Sequence, residues 1–373
     1  MWNHLSSRPD IAHWSVWLYQ LGARSLADWQ NSECATMKHR PAMDNSHLGH
    51  PSPEWVAYGT AHPHLNINAA AVDTVPDPIT IRDAANKTKE ALVQVLLSET
   101  GLDTRVSTTD YHALARDGAR LPIRVYRSSQ PLSSSPLTTE AKTPTHFSSS
   151  PVAALVYYHG GGMLLGSLST EDYLCSIWAD ALGPNFAIIS ICYRHTPEFT
   201  FPTQHHDAWD GFEWVLNHAS TLGIDTNKIV IVGISSGGGL AASVVQSELN
   251  RHKGLSLAGK DPEKMHKVRI RGQIVAMPWL IHRDVYPLEE WFGNSQREKS
   301  SVIQCRNAPI MCAKKYGLFT DLLRVRDGGK GFSVGLTTEE ELKGSPPTVV
   351  LACGWDMLRD EAMAFAGRIE AAG

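Results

Sequence analysis

One serine in this chain stands between two glycines in a way that suits nucleophilic chemistry. The segment Ile231-Val232-Gly233-Ile234-Ser235-Ser236-Gly237-Gly238-Gly239-Leu240 contains G-x-S-x-G, with an apolar run before it and small, helix-compatible residues after it. Glycines on both sides of Ser235 permit a sharp strand-to-helix turn whose central residue is strained. Such a turn exposes the hydroxyl at the carboxyl edge of a sheet. The helix that follows presents the positive end of its dipole there, which favours developing negative charge. An ordinary glycine-rich turn is the competing reading.

A second segment, Tyr157-Tyr158-His159-Gly160-Gly161-Gly162, also follows an apolar run. Three consecutive glycines let backbone N–H groups converge on one small space and hold an oxyanion. The N–H of Ser236, next to the nucleophile, would complete that trap, and one such donor is worth about 2.7–4 kcal/mol in a transition state. A phosphate-cradling loop is the rival, but neither G-x-x-x-x-G-K-[ST] nor G-x-G-x-x-G occurs here. His159 is expected to anchor the loop by hydrogen bonding rather than to serve as a base.

These segments need a scaffold, and the pattern around them predicts one. Residues 106–115 and 121–126 flank the turn Arg116-Asp117-Gly118 and read as a β-hairpin. Short apolar runs then alternate with helical stretches: Ala153–Tyr158, a helix over 170–182, Ala187–Ile191, a helix over 205–218, Ile229–Val232, a helix over 238–249, Ile270–Ala276, Thr348–Cys353 and a helix over 359–371. That alternation implies βαβ units, so the expected fold class is α/β: a mostly parallel central sheet with helices on both faces. Residues 1–50 are expected to form an N-terminal extension, with Ile11, Trp14, Trp17, Leu18 and Leu21 at helical spacing. Residues 51–373 then form the main domain. Residues 128–151, about two-thirds Ser, Thr and Pro, read as a flexible surface loop within it. Residues 280–345 lack clear periodicity and are expected to form a cap-like region.

Composition narrows the function classes. Of 373 residues, 42% are hydrophobic and 19% charged, which excludes a collagen-like, wholly disordered or coiled-coil chain. The net charge is −4, with no block of Lys or Arg, so nucleic acid is not an expected partner. Six cysteines (Cys34, Cys175, Cys192, Cys305, Cys312, Cys353) form no C-x-x-C pair, which argues against a disulfide framework or a zinc site. No run approaches the roughly 18 apolar residues of a membrane helix, and neither a secretory leader nor a peroxisomal tripeptide is evident. By elimination the chain reads as soluble and cytoplasmic.

The two glycine motifs, in this order and about 76 residues apart, resemble the hormone-sensitive-lipase family of α/β-hydrolases. Tyr193-Arg194-His195-Thr196-Pro197-Glu198, followed by Pro202 and Asp207, looks like that family's Y-R-x-x-P-E segment. Gly354-Trp355-Asp356-Met357-Leu358-Arg359-Asp360-Glu361 looks like its G-x-D-x-L-R-D-E segment, and His50-Pro51-Ser52-Pro53-Glu54-Trp55 is similar to an entry motif of some members. The resemblance spans about residues 50–373. It implies an α/β-hydrolase fold and a carboxylic-ester hydrolase for small-to-medium neutral acyl or aryl esters. It also implies Ser235 as nucleophile, Asp356 as the acid that orients a catalytic histidine, and Gly161, Gly162 and the Ser236 N–H as the oxyanion hole. No metal or organic cofactor is implied, and the expected partner is a small-molecule ester. Asp356 as a helix N-terminal carboxylate ahead of Leu358 is the alternative for that residue. Arg359 and Asp360 are assigned to helix-start electrostatics and packing, and Arg194 and Glu198 to a buried structural pair. Met163, Leu164 and Trp279 are candidates for an apolar pocket, with core packing as the equal alternative.

The pattern departs from the family in one large respect. The family's base is a histidine beyond the Asp-bearing helix, whereas the last histidine here is His282, so the expected final strand, histidine loop and closing helix are missing. A serine needs an adjacent base. His195, His205, His206 and His282 are not expected to supply it. Three explanations stand: a fragment of an active esterase, a shortened inactive relative, or a base from another element or chain. Ile234, Ser236 and Gly239 are smaller departures. Two other function classes stay open, a non-catalytic small-molecule-binding protein on this scaffold and an ester- or lactone-processing enzyme of specialised metabolism.

Overall fold

The computed structural model describes residues 44–61, 77–129, 150–257, 268–326 and 328–373. The helix expected near residues 11–21 and most of the Ser/Thr/Pro-rich segment lie outside these. Two helices come first, α1 (Pro53–Ala61) and α2 (Pro78–Thr100). The hairpin follows as β1 (Val106–Leu114) and β2 (Arg120–Ser128). The alternation is then β3 (Val152–Tyr158), α3 (Leu168–Leu182), β4 (Phe186–Ile191), α4 (Thr203–Asn217), β5 (Ile224–Ile234), α5 (Ser236–Leu257), β6 (Ile270–Ala276), α6 (Ala313–Leu323), β7 (Thr348–Leu351) and α7 (Arg359–Ala372).

The seven strands form one sheet in the order β1-β2-β4-β3-β5-β6-β7. β1 and β2 are antiparallel to each other, β2 is antiparallel to β4, and every later pair is parallel. This is the α/β-hydrolase arrangement the sequence predicted. Because β-strand side chains alternate, each strand feeds two cores. Val156 and Tyr158 of β3 pack with Phe212 of α4 and Leu240 and Val244 of α5, whereas Leu155 and Tyr157 pack with Val93 and Leu97 of α2 and Leu174 of α3. Both faces of the sheet are therefore covered. β7 lies at the edge of the sheet, with Val349 49% exposed.

Two elements differ from expectation. β5 begins five residues before the apolar run, because the polar stretch Asp225–Lys228 is carried into the strand by pairing at Val152↔Ile224. α2 is a 23-residue helix with no counterpart in the sequence reading. It buries only Val93, Leu96 and Leu97, a stripe too thin to announce itself by periodicity. Its ends are well marked: Asp77 accepts the Thr80 N–H at 3.1 Å with Pro78 at the first turn, and Gly101 closes the helix in the left-handed region. Residues 280–345 hold α6 and several shorter helical turns.

Candidate active site

β5 lies between β3 and β6, with Gly233 opposite Tyr158 on one side and Val275 on the other. The chain emerging from β5 therefore comes out level with the glycine segment that follows β3. Ser235 sits at that point with φ 55°, a left-handed conformation that a non-glycine residue adopts only when its surroundings impose it. Its N–H donates to Ala276 O at 2.8 Å, and its carbonyl accepts from Gly238, Trp279 and Gly239 N–H at 2.9, 2.9 and 3.2 Å. Four backbone bonds thus hold the bend. Gly237 is required by close approach, since a Cβ there would lie 2.1 Å from Tyr158 O. Ser235 itself stays half-buried.

The glycine segment faces it. A Cβ on Gly160 would stand 3.3 Å from Ser235 Cβ, so the first glycine touches the serine. Gly161 and Gly162 both have positive φ, and Leu164 and Leu165 N–H donate back to Gly161 O at 3.1 and 2.9 Å, which closes the loop into a tight turn. The N–H of Gly162 donates to Ser236 Oγ at 3.0 Å, a contact that the sequence reading did not anticipate. Ser236 is the first residue of α5, where backbone N–H groups have no partner within the helix. His159 anchors the loop as expected: it is fully buried, its Nδ1 lies 2.9 Å from Gly160 O, and its ring stacks on Tyr193 at 4.4 Å. Burial depresses its pKa.

The loop has a support that sequence reasoning missed. Asn86 of α2 grips Gly166 with both amide atoms, accepting its N–H at 2.9 Å and donating to its carbonyl at 3.0 Å. Four residues on, Glu90 accepts the Ser167 hydroxyl at 2.6 Å. Arg82, one helical turn earlier, forks Glu198 at 2.6 and 2.8 Å and donates to Thr196 O at 3.3 Å. The helical spacing of 82, 86 and 90 places all three on one face. This corrects the expected Arg194–Glu198 pair. Arg194 instead forks the fully buried Asp207 at 2.6 and 2.8 Å and reaches Asp117 at 2.7 Å, because α4 offers it a desolvated carboxylate that Glu198, in its exposed loop, does not.

Asp356 follows β7 in a loop. Its Oδ1 accepts the Leu358 N–H at 3.0 Å, so the helix-end role is present. Burial raises its pKa to about 6, against the opposing pull of that N–H and of Arg359. The residues after it are more than helix-start electrostatics. Arg359 and Asp360, both fully buried, pair at 2.8 Å, and Arg359 also donates to Gln304 Oε1, Gly354 O and Lys299 O. Asp360 accepts the Ser301 N–H at 2.6 Å, and Ser301 Oγ donates to Met357 O at 2.8 Å. This network fixes the Asp356 loop to the 299–304 segment.

His195, His205 and His282 each pack against other side chains. His205 packs edge-on against Phe201 and Phe332, and the loss of solvent around its ring lowers its pKa to about 4. His282 places Nδ1 3.5 Å from Asp284, and His195 packs on Tyr193. Met163, Leu164 and Trp279 are core residues, at most 1% exposed, rather than the walls of a pocket. Phe319 of α6 reaches the loop instead: a Cβ on Gly162 would lie 2.3 Å from its ring. A cavity of about 460 Å³ is lined by Arg283, Tyr286, Leu288, Glu290 and Tyr316 among others, and none of Ser235, Asp356 or the glycine loop lines it. Among the described residues no helix is long and apolar enough to cross a membrane.

Comparison with known proteins adds the following. A protein-family profile described as alpha/beta hydrolase fold matches residues 155–373. An ethyl acetate hydrolase of Pseudomonas putida is 38% identical over 133 residues, which cover 36% of each chain. An arylesterase of Saccharolobus solfataricus is 29% identical over 219 residues, covering 59% of this chain and 62% of the relative. The chain thus spans about a third to three-fifths of the length of these two curated relatives. The solved structure of a vibralactone cyclase superposes with a TM-score of 0.68 at 25% identity, covering 91% of this chain and 86% of that one.

Proposed function

The chain belongs to the α/β hydrolase fold family, and from that premise we propose that it is a carboxylic-ester hydrolase using Ser235 as its nucleophile. The observation that carries this reading is the strained bend at Ser235, φ 55°, set directly against Gly160 of the glycine loop. Its relatives include proteins named ethyl acetate hydrolase and arylesterase, which supports small neutral acyl or aryl esters as the substrate class.

In this reading Ser235 Oγ attacks the ester carbonyl and gives its proton to a base from solution, which hands it on to the departing alkoxide, while negative charge collects on the carbonyl oxygen. The N–H groups of Gly161 and Ser236 receive it, joined by Gly162 once that N–H leaves Ser236 Oγ. Collapse of the tetrahedral intermediate expels the alcohol, and water then releases the acid from the acyl-enzyme. Asp356 is the acid that would orient a base, and it is ionised above about pH 6. We assign the base to none of His195, His205, His206 and His282. The first is packed on aromatic rings, His205 stands edge-on to two phenylalanines, and His282 faces Asp284.

The test is the release of p-nitrophenol from p-nitrophenyl acetate, with and without imidazole as a base from solution. A burst that disappears in Ser235→Ala while the circular dichroism stays unchanged supports the proposal. Equal release by the variant overturns it. The likeness to a cyclase named for a lactone favours a second reading, ester- or lactone-processing at the same serine. Acid production from a simple lactone, dependent on Ser235, would separate the two.

A further inference from the structure

β3 and β4 are parallel neighbours, and their last paired residues are Tyr158 and Ile191. One step further along each strand stand His159 and Cys192, side by side at the carboxyl edge of the sheet. The chain then turns, and His195 comes back to the same place, its ring 5.3 Å from that of His159. One ring nitrogen of each histidine and the Cys192 sulfur all lie within 4.8 Å of one another. None of the three belongs to the ester-cleaving groups described above.

The environment is that of a ligand site. His159 is fully buried with Nδ1 engaged by Gly160 O, which leaves Nε2 facing inward. That Nε2 and the Nε2 of His195 are both buried without a hydrogen-bond partner. Two orphaned imidazole nitrogens beside a free thiol are costly unless something fills the space between them. We propose that His159, Cys192 and His195 form a three-coordinate site for a soft, thiophilic metal ion, Cu⁺ in preference to Zn²⁺.

Two arguments select the ion. A thiolate with two imidazoles is a donor set that soft d¹⁰ ions take, whereas Mg²⁺ and Ca²⁺ want oxygen. Charge then decides between the candidates. Cu⁺ with one thiolate is neutral, but Zn²⁺ would leave a net positive charge in a buried place and would ask for a fourth ligand. Binding requires the Cys192 thiol to lose its proton to solvent as the metal–sulfur bond forms. Ligand atoms around such an ion stand about 3.5–4 Å apart at metal–ligand bonds of about 2.0–2.3 Å, so small side-chain rotations close the present spacing. The ion would tie the foot of the glycine loop to the end of β4.

The test uses the full chain, purified under reducing, oxygen-free conditions and stripped of metal. We expect about one equivalent of Cu⁺ to remain after dialysis against a competing Cu⁺ chelator, and Zn²⁺ to bind at least about tenfold more weakly. X-ray absorption at the copper edge should report one sulfur and two imidazole nitrogens. Cys192→Ser and His195→Ala should each lose the copper and its thermal stabilisation, while His205→Ala keeps both. The absorption spectrum needs no variant, so a misfolded mutant does not decide the matter. Substoichiometric copper, a spectrum without sulfur, tighter Zn²⁺ binding or undiminished uptake by a folded Cys192→Ser would each overturn the proposal.

Discussion

The bend at Ser235 and the loop at Asp356 stand at the ends of different strands and are held in different ways. The bend is built locally. Its donors and acceptors are backbone atoms of Ala276, Gly238, Gly239 and Trp279, and its tolerances are set by glycines with no room for a Cβ. The Asp356 loop is built at a distance, by a buried ion pair and its hydrogen bonds to residues 299–304, more than fifty positions away in sequence. The first is robust to charge and intolerant of bulk. The second is sensitive to charge, since a buried ion pair is worth little net but is very costly to break.

That contrast can be broken most sharply at Arg359. Replacement by Leu leaves Asp360 buried without its partner and should cost about 3–5 kcal/mol. Chemical denaturation would measure this, and a loss under about 1 kcal/mol would mean that the loop is held by something else. At the bend, Gly237→Ala drives a Cβ against Tyr158 O, and we expect a loss of about 2–4 kcal/mol, a severe effect for one methyl. The same change at Gly254, which has open space around it in α5, should instead stabilise by about 0.5–1 kcal/mol.

Asp356 sharpens the electrostatic side. Its pKa rises from 3.8 to about 6 on folding, so between those values the native state binds more protons than the unfolded chain. Stability from this group is complete below about pH 4 and is lost as pH rises through about 6. Asp356→Asn keeps an acceptor for Leu358 N–H but cannot ionise. At pH 7.5 it should therefore be more stable than the parent by up to about 2–3 kcal/mol, with the gain vanishing near pH 4. Equal gains at both pH values would refute the assignment. The smallest effect is expected at Ser236→Ala, which frees the Gly162 N–H from Ser236 Oγ. If that N–H receives the oxyanion, ester turnover should rise about 2–10-fold, the worth of one ordinary hydrogen bond. A fall would show that the hydroxyl assists.

Much of this arrangement was legible beforehand. Ile270–Ala276 emerged as read, and β3 and β4 shifted by no more than one residue, because a buried parallel strand is apolar on both faces and stands out as a continuous run. α2 was illegible for the opposite reason: three buried side chains in 23 residues leave it looking polar, although Arg82, Asn86 and Glu90 carry the loop beside the serine. The misassigned Arg194–Glu198 pair has a similar origin. Proximity in sequence suggested one partner, and burial chose Asp207 and Arg82 instead.

Glycine placement and apolar runs determined the strand-to-helix bend, the three-glycine turn and the parallel sheet, since these follow from backbone sterics and from side chains excluded from water over a few adjacent residues. Only the packed structure decided which long polar side chains meet. It brought Asn86 to Gly166, Arg359 to the 299–304 segment, and His159 beside Cys192 and His195. Such pairings depend on strand order and helix rotation, quantities to which residues dozens of positions apart contribute jointly and which no short stretch of the chain encodes alone.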